Sequence, residues 1–305
     1  NKLSNKKGDA FWSSLDNYAL SLHRKGETQR AVEVYEQYKT DFFIEGNHCD
    51  ALWIAINNYA FLLKSLDKRT QALQILLKAD QMLDQNLQAL SRKQLLYLTT
   101  LHYNLAQSYQ SFSQYDSSIF FYKRSTETAK LAQATQSAEY LAAITGMAGL
   151  YHDIGQYTEA KIFYAEALKI QEILGGSVSN AYASIQSNFA LLHQDLGAYE
   201  EAIRLLEEAL NTKRKLLGID HPDYIAVLAN LGLLYLEKAD YSSAQRILET
   251  VLIKYENLYG KQHPRLASSL TNLARLELAV GNYNEAEPLL KQALQMQEDL
   301  YGSQH

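Results

Sequence analysis

The chain has 305 residues, of which 47% are hydrophobic and 21% charged, so it is long and apolar enough to bury a sizeable core and is not a wholly disordered polymer. Its 29 Lys and Arg against 34 Asp and Glu give a net charge of -5, which denies it the basic face that nonspecific nucleic-acid binding requires. The single cysteine, Cys49, excludes an internal disulfide and a thiolate-rich zinc site, no apolar run reaches the roughly 18 residues of a membrane span, and no basic-then-apolar leader opens the chain.

Three prolines in 305 residues predict long helices with few hard breaks. Read from the first residue onward, similar segments recur. Asn17, Asn58 and Asn104 open the first three, Gly146 fills the same slot in the fourth, and Asn188, Asn230 and Asn272 open the last three. The steps are 41, 46, 42, 42, 42 and 42 residues; the four extra residues of the second step are close to one helical turn, which preserves a buried face. The predicted repeats run 9–47, 48–90, 91–135, 136–177, 178–219, 220–261 and 262–303, together one solenoid domain over 1–305. The first helix, predicted from Asp9 to Lys25, acts as an end cap.

Other slots keep the same phase. Nine residues after the opening position stand Gly26, Gly155, Gly197 and Gly281, with Asp67, Ser113 and Ala239 in the weaker copies. Glycine ends a helix because it tolerates positive φ at the cap, so each unit reads as two helices joined there. Eleven residues on stand Tyr115, Tyr157, Tyr199, Tyr241 and Tyr283, expected to be buried packing residues. Fourteen on, a small residue (Ala31, Ala72, Ser118, Ala160, Ala202, Ala244, Ala286) lets helices approach. Eighteen on, a large one (Tyr35, Leu76, Tyr122, Tyr164, Leu206, Leu248, Leu290) fills the groove one turn further along. Ala recurs twenty-one on, at Ala79, Ala167, Ala209 and Ala293. Within one second helix, Ala202, Leu205, Leu206, Ala209 and Leu210 form an apolar stripe, with Glu200, Glu201, Arg204, Glu207 and Glu208 on or beside the other face. Between units, Gly218 with His221-Pro222 and Gly260 with His263-Pro264 pair a helix stop with a proline start. Gly302 and His305 begin the same motif, which leads to the expectation that the chain is a piece of a longer protein, cut at an eighth unit, with its last helix pair open on one side.

The stretch from Asn272 to His305 and the run Asn230 to Tyr235 resemble the tetratricopeptide repeat, in the 42-residue form found in kinesin light chains and many bacterial proteins, and a bacterial source is the expectation. The resemblance covers nearly the whole chain and is most specific over 137–305. Two positions depart from it: Glu277 where other units have Tyr109, Tyr151 and Tyr235, and Gly146 for the opening Asn. It implies an all-α fold, a right-handed superhelix (α-solenoid) of about seven helix-turn-helix repeats. It also implies that first helices line a concave groove. Long bacterial arrays of this kind often precede a second domain, caspase-like peptidases of the CHAT type among them.

No phosphate-binding loop, dinucleotide fingerprint, HExxH or paired-ligand spacing is present, so no catalytic residue, cofactor or metal is expected. Adjacent His48 and Cys49 at a helix start point apart and form no dyad; His221, His263 and His305 read as joint residues and His193 as a core residue. The functional signal is the asparagine ladder. Each side chain offers a donor and an acceptor, and in the resembling family the row faces the groove, where it would hold the backbone of an extended peptide. The expected binding residues are Asn58, Asn104, Asn188, Asn230 and Asn272, flanked by Asn57, Tyr103, Gln107, Lys64 and Arg275. Phe61, His152, Leu191, Leu233, Leu236 and Leu278 project to the same groove under that geometry, though the same asparagines could instead close hydrogen bonds between helices. With Arg24, Lys64 and Arg275 as its chief cations, the groove has too few for a clamp on acidic tails. The expected role is a non-enzymatic scaffold for a protein or peptide, cytoplasmic, without nucleic-acid or membrane partners, and able to pair through its terminal repeats at Tyr283 to Tyr301. The rival expectations are the regulatory arm of a larger enzyme and a signalling-peptide sensor.

Overall fold

Short turns at the predicted glycine slots divide the chain into paired helices, and the computed structural model describes residues 7–44, 49–83, 87 and 89–302. The pairs are α1 (Asp9–Arg24) with α2 (Thr28–Glu36), α3 (Asp50–Ser65) with α4 (Arg69–Leu83), and α5 (Arg92–Ser111) with α6 (Tyr115–Leu131). There follow α7 (Ala138–Asp153) and α8 (Tyr157–Gly175), α9 (Asn180–Asp195) and α10 (Tyr199–Leu217), α11 (Pro222–Glu237) and α12 (Tyr241–Tyr259), and α13 (Pro264–Val280) and α14 (Tyr283–Tyr301). No strand occurs among the described residues. The fold is therefore all-α and built of about seven helix-turn-helix repeats. The first helix stops at Arg24, one residue short of its predicted end.

The chain forms two compact units, residues 1–156 and 157–305. In the first, α1, α3, α5 and α7 pack side by side in that order, with α2, α4 and α6 behind them; in the second, α9, α11 and α13 follow one another, alternating in the chain with α8, α10, α12 and α14. Both units thus present a face made of successive first helices.

Polar caps start several of these helices. Ser91 and Gln94 form a reciprocal capping box on α5, and the hydroxyls of Ser137 and Ser179 accept from the backbone N–H of Tyr140 and Tyr182, both at 3.2 Å. At the proline joints the histidines are the caps: Nδ1 of His221 accepts from the Asp223 N–H at 3.1 Å and Nδ1 of His263 from the Arg265 N–H at 3.2 Å. Their structural reading therefore holds. His48 and His305 lie outside the described residues.

The turn slot keeps its left-handed backbone whatever residue occupies it. Asp67, Ser113 and Ala239 adopt φ of 57°, 57° and 61°, beside 71° to 85° at Gly155, Gly197, Gly26 and Gly281. The same bond closes each turn; the Asp240 N–H reaches back to the Tyr235 carbonyl at 2.9 Å, as the Gln114 N–H does to that of Tyr109. A Cβ in this conformation costs roughly 1–2 kcal/mol, and no polar side chain offsets it at Ala239. Ala239→Gly is expected to stabilise the protein by about 1 kcal/mol, measured as a higher urea midpoint by circular dichroism. An unchanged or lower midpoint would mean that the turn carries no strain.

The packing slots are occupied as read. Ala31, Ala72, Ser118, Ala160, Ala202 and Ala244 have no exposed surface, and Tyr35, Leu76, Tyr122, Tyr164, Leu206 and Leu248 are buried beside them. Leu290 is the exception in its slot, at 38% exposure, because no helix among the described residues covers that side of α14. The reading of the tyrosines eleven residues on as buried is corrected: Tyr115, Tyr241 and Tyr283 are exposed, and Tyr157 and Tyr199 only partly covered. Each is the first residue of its helix, and its side chain leans toward the helix N-terminus, past the packed stripe. Gly146 has a steric reason: a Cβ there would stand 2.5 Å from Cε1 of Tyr122.

Candidate functional site: the first-helix face

The opening asparagines divide by partner. Asn17 on α1 is exposed, whereas Asn58 and Asn104 are tied to the first helix of the preceding repeat. Asn58 on α3 donates its Nδ2 to both carboxylate oxygens of Asp16 on α1, at 3.0 and 3.1 Å, and the Tyr35 hydroxyl of α2 donates to the same carboxylate. Asn104 on α5 donates to Oδ1 of Asn57 on α3 at 2.8 Å, while Asn57 spends its own Nδ2 on the Trp53 carbonyl at 3.1 Å. Asn58, Asn104 and Asn57 are all half-buried. The acceptor each time is the residue just before the opening position of the preceding repeat.

In the second unit that acceptor is missing. The corresponding residue ahead of Asn272 is Ala229, and ahead of Asn230 it is Ser187, whose hydroxyl already donates to the Ala183 carbonyl at 2.8 Å. Asn188 is exposed, Asn230 and Asn272 half-buried, and none of the three makes a side-chain hydrogen bond among the described residues. Their amides keep both donor and acceptor open. The residue before each opening position was the signal available in the sequence: Asp16 and Asn57 accept, Ser187 and Ala229 do not.

Around the ladder, Leu191, Leu233 and Arg275 stand three residues after these asparagines, on nearly the same helix face. Leu191 and Leu233 are half-buried and Arg275 is exposed. Leu236 does not join them. Leu236 is buried with Ala244, Leu248, Leu273 and Leu276, and Leu278 borders an apolar cavity of 280 Å³ with Tyr283, Leu290 and Leu294. In the first unit Phe61 is half exposed with its edge against the His23 ring, and Tyr103 accepts a 2.7 Å bond from Gln107. Burial pushes the Tyr103 phenol up and the Lys64 ammonium down from their ordinary values.

His193 is a core residue, as read, 7% exposed with its ring 4.7 Å from that of Phe189. Burial first, and then the nearby charge of Lys161, lowers its imidazole below the ordinary value, while Glu201 acts in the opposite direction. The unfolded chain therefore takes up the proton first as pH falls, so stability declines below about 6.5 and stops declining once the folded imidazole is itself protonated. His193→Tyr, the residue of this slot in three other repeats, is expected to flatten the fall in urea midpoint between pH 7 and pH 5. An equal fall in both proteins would refute this.

Among the described residues no group of histidine, cysteine or acidic side chains is arranged to hold a metal, and no helix is long and apolar enough to cross a membrane. The tetratricopeptide repeat family matches residues 99–130 and 142–173, and again 181–252 and 243–299. No curated protein matches the sequence significantly. Among solved structures, one named as a kinesin light chain of Podosopora anserina with nearly identical TPR-like repeats is 25% identical, with a TM-score of 0.57 over 68% of this chain and 99% of that one. RapI in its apo form reaches a TM-score of 0.71 at 10% identity, over 95% of this chain and 98% of that one. A Rap protein complexed with Competence and Sporulation Factor is 18% identical with a TM-score of 0.61, over 96% of this chain and 79% of that one.

Proposed function

The chain belongs to the tetratricopeptide repeat family, and on that premise we propose that it is a non-enzymatic interaction scaffold, a single solenoid that holds a peptide or protein segment along its concave first-helix face. The observation that carries this reading is the set of uncommitted amides at Asn188, Asn230 and Asn272, one repeat apart, beside Leu191, Leu233 and Arg275. Amides at that spacing can pair with an extended backbone whatever its sequence, and the leucines and Arg275 would then select among side chains. In the first unit, Asn58 and Asn104 serve the fold instead, and Tyr103, Gln107 and Lys64 supply the contacts.

The test uses peptides selected from a random displayed library on the intact chain. Asn188→Ala, Asn230→Ala and Asn272→Ala together are expected to weaken binding at least tenfold, since each lost hydrogen bond is worth about 0.5–1.5 kcal/mol, with helicity unchanged. Asn58→Ala and Asn104→Ala should act on the melting temperature instead. Equal affinity in the triple variant would remove the ladder from the binding site.

A second reading, a sensor of a short signalling peptide, draws support from the likeness to the Rap protein complexed with Competence and Sporulation Factor. It requires the bound peptide to change the scattering profile of the solenoid. Pairing of two copies through Tyr283, Leu290 and Leu294 belongs to the same proposal, since 69%, 38% and 57% of these side chains are exposed on one helix face.

A further inference from the structure

The N-terminal helix pair already holds an ammonium, one that belongs to the chain itself. Nζ of Lys7 lies 4.6 Å from the centre of the Phe11 ring, 3.9 Å from that of Tyr38 and 2.6 Å from Oδ2 of Asp41. The two rings meet edge to face, 79° apart with centres separated by 5.2 Å, so they stand as two walls at nearly a right angle. A ring face attracts a cation and a carboxylate accepts its N–H, so all three groups favour an ammonium. The walls belong to the folded pair. Phe11 is on α1 and packs at 5.2 Å against the fully buried Trp12, which in turn lies 5.2 Å from Phe42. Tyr38 and Asp41 follow α2, with the Asp41 N–H bonded to the Tyr38 carbonyl at 2.9 Å. Lys7 instead precedes α1, on the arm that leads into it, and its carbonyl accepts from Nε1 of Trp12 at 3.1 Å. The same two rings line a cavity of 540 Å³ with Ser14, Leu15, Tyr18 and Val34.

We propose that Phe11, Tyr38 and Asp41 form a receptor site for a primary alkylammonium carried by a partner, and that Lys7 is its internal competitor. The Lys7 ammonium can leave without unmaking the walls, because the ring packing and the backbone bond between Asp41 and Tyr38 do not pass through it. The cavity that shares both rings then has room for the residues on either side of the incoming group. Asp41 sets the choice among cations: it needs an N–H, which a primary ammonium offers and a quaternary one lacks. A competitor tethered a few residues away acts at an effective concentration on the order of millimolar, so an outside ammonium binds the wild-type chain more weakly than it binds the emptied site. No residue of the asparagine ladder takes part, and the site stands or falls without it.

The experiment titrates the intact, isotope-labelled chain carrying Lys7→Ala with Nα-acetyl-lysine methylamide and, separately, with glycine methylamide, at constant ionic strength. The readout is the ring signals of Phe11 and Tyr38. Saturable shifts are expected in Lys7→Ala, with binding about tenfold weaker in the wild-type chain, where Lys7 competes, and about tenfold weaker again when Asp41→Asn is added to Lys7→Ala. Trimethylation of the lysine probe should weaken it as well. The lysine probe binding as tightly or more tightly assigns the site to a lysine side chain; tighter binding of glycine methylamide assigns it to the amine that begins a peptide. Shifts that do not saturate in Lys7→Ala, or that are the same with Asp41→Asn, overturn the site, and equal affinity in the wild-type chain overturns the role of Lys7. The wild-type chain needs no substitution for a second check: at saturating probe the Lys7 side-chain signals should move to those of a solvated lysine. Rings that respond while Lys7 stays in place overturn the exchange.

Discussion

Asp16→Leu is expected to lower the stability of the first unit by about 3 kcal/mol, with Asp16→Asn costing about 1 kcal/mol. One carboxylate, 7% exposed, joins three helices: it sits on α1, takes the Tyr35 hydroxyl of α2 and takes the Asn58 amide of α3. The Tyr35 ring is itself fully buried, 5.2 Å from that of Tyr59, and burial together with Asp16 drives its phenol far above the ordinary range. Leucine fills the space but leaves a buried hydroxyl and an amide without an acceptor, each costing about 1–3 kcal/mol. Asparagine keeps one acceptor oxygen, so its loss is smaller. Both tryptophans of the chain, Trp12 and Trp53, are buried in this unit, so their fluorescence follows its unfolding separately from the second unit. A change under about 0.5 kcal/mol in Asp16→Leu would mean that the network does not hold the three helices together.

Much of this was legible from spacing. Ala202, Leu205, Leu206, Ala209 and Leu210 are buried as their 3.6-residue period required, and the turn slots take their left-handed backbone even at Ala239, where the residue type argues against it. Phase, not residue identity, carried that information. The site was less legible, because an asparagine facing a groove and one tied to a neighbouring helix have the same sequence. What separates them is the partner one repeat earlier, Asp16 or Asn57 against Ser187 or Ala229, a relation across about 42 residues that the within-repeat pattern does not contain. Leu236 was lost to the groove because it is buried with Leu248, Leu273 and Leu276, a contact with the next repeat that the within-repeat spacing does not contain.

Gly146→Asn, which restores the opening residue of the repeat, is expected to destabilise the first unit by about 2 kcal/mol. The slot before it explains the sign. Tyr122 occupies the large-residue position of the third repeat, 1% exposed, and its ring tip fills the space that a side chain at 146 would need; Cε1, Oη and Cζ all lie within 2.5–2.7 Å of the Cβ position. The ring cannot swing aside freely, because Tyr103 lies 6.0 Å from it and its hydroxyl donates to Gln110. A repeat can therefore carry a tyrosine at the large slot or an ordinary residue at the next opening slot, and the pair must be exchanged together. Leucine, the residue of four other repeats at that slot, is shorter and should leave room. Tyr122→Leu alone is expected to cost about 1–2 kcal/mol through the lost ring packing, yet the double variant should be no less stable than Gly146→Asn. The coupling in that cycle, read by tryptophan fluorescence in urea, should favour the pair by at least about 1 kcal/mol. Additive losses would show that the two positions do not compete for the same space, and Gly146 would then need another explanation.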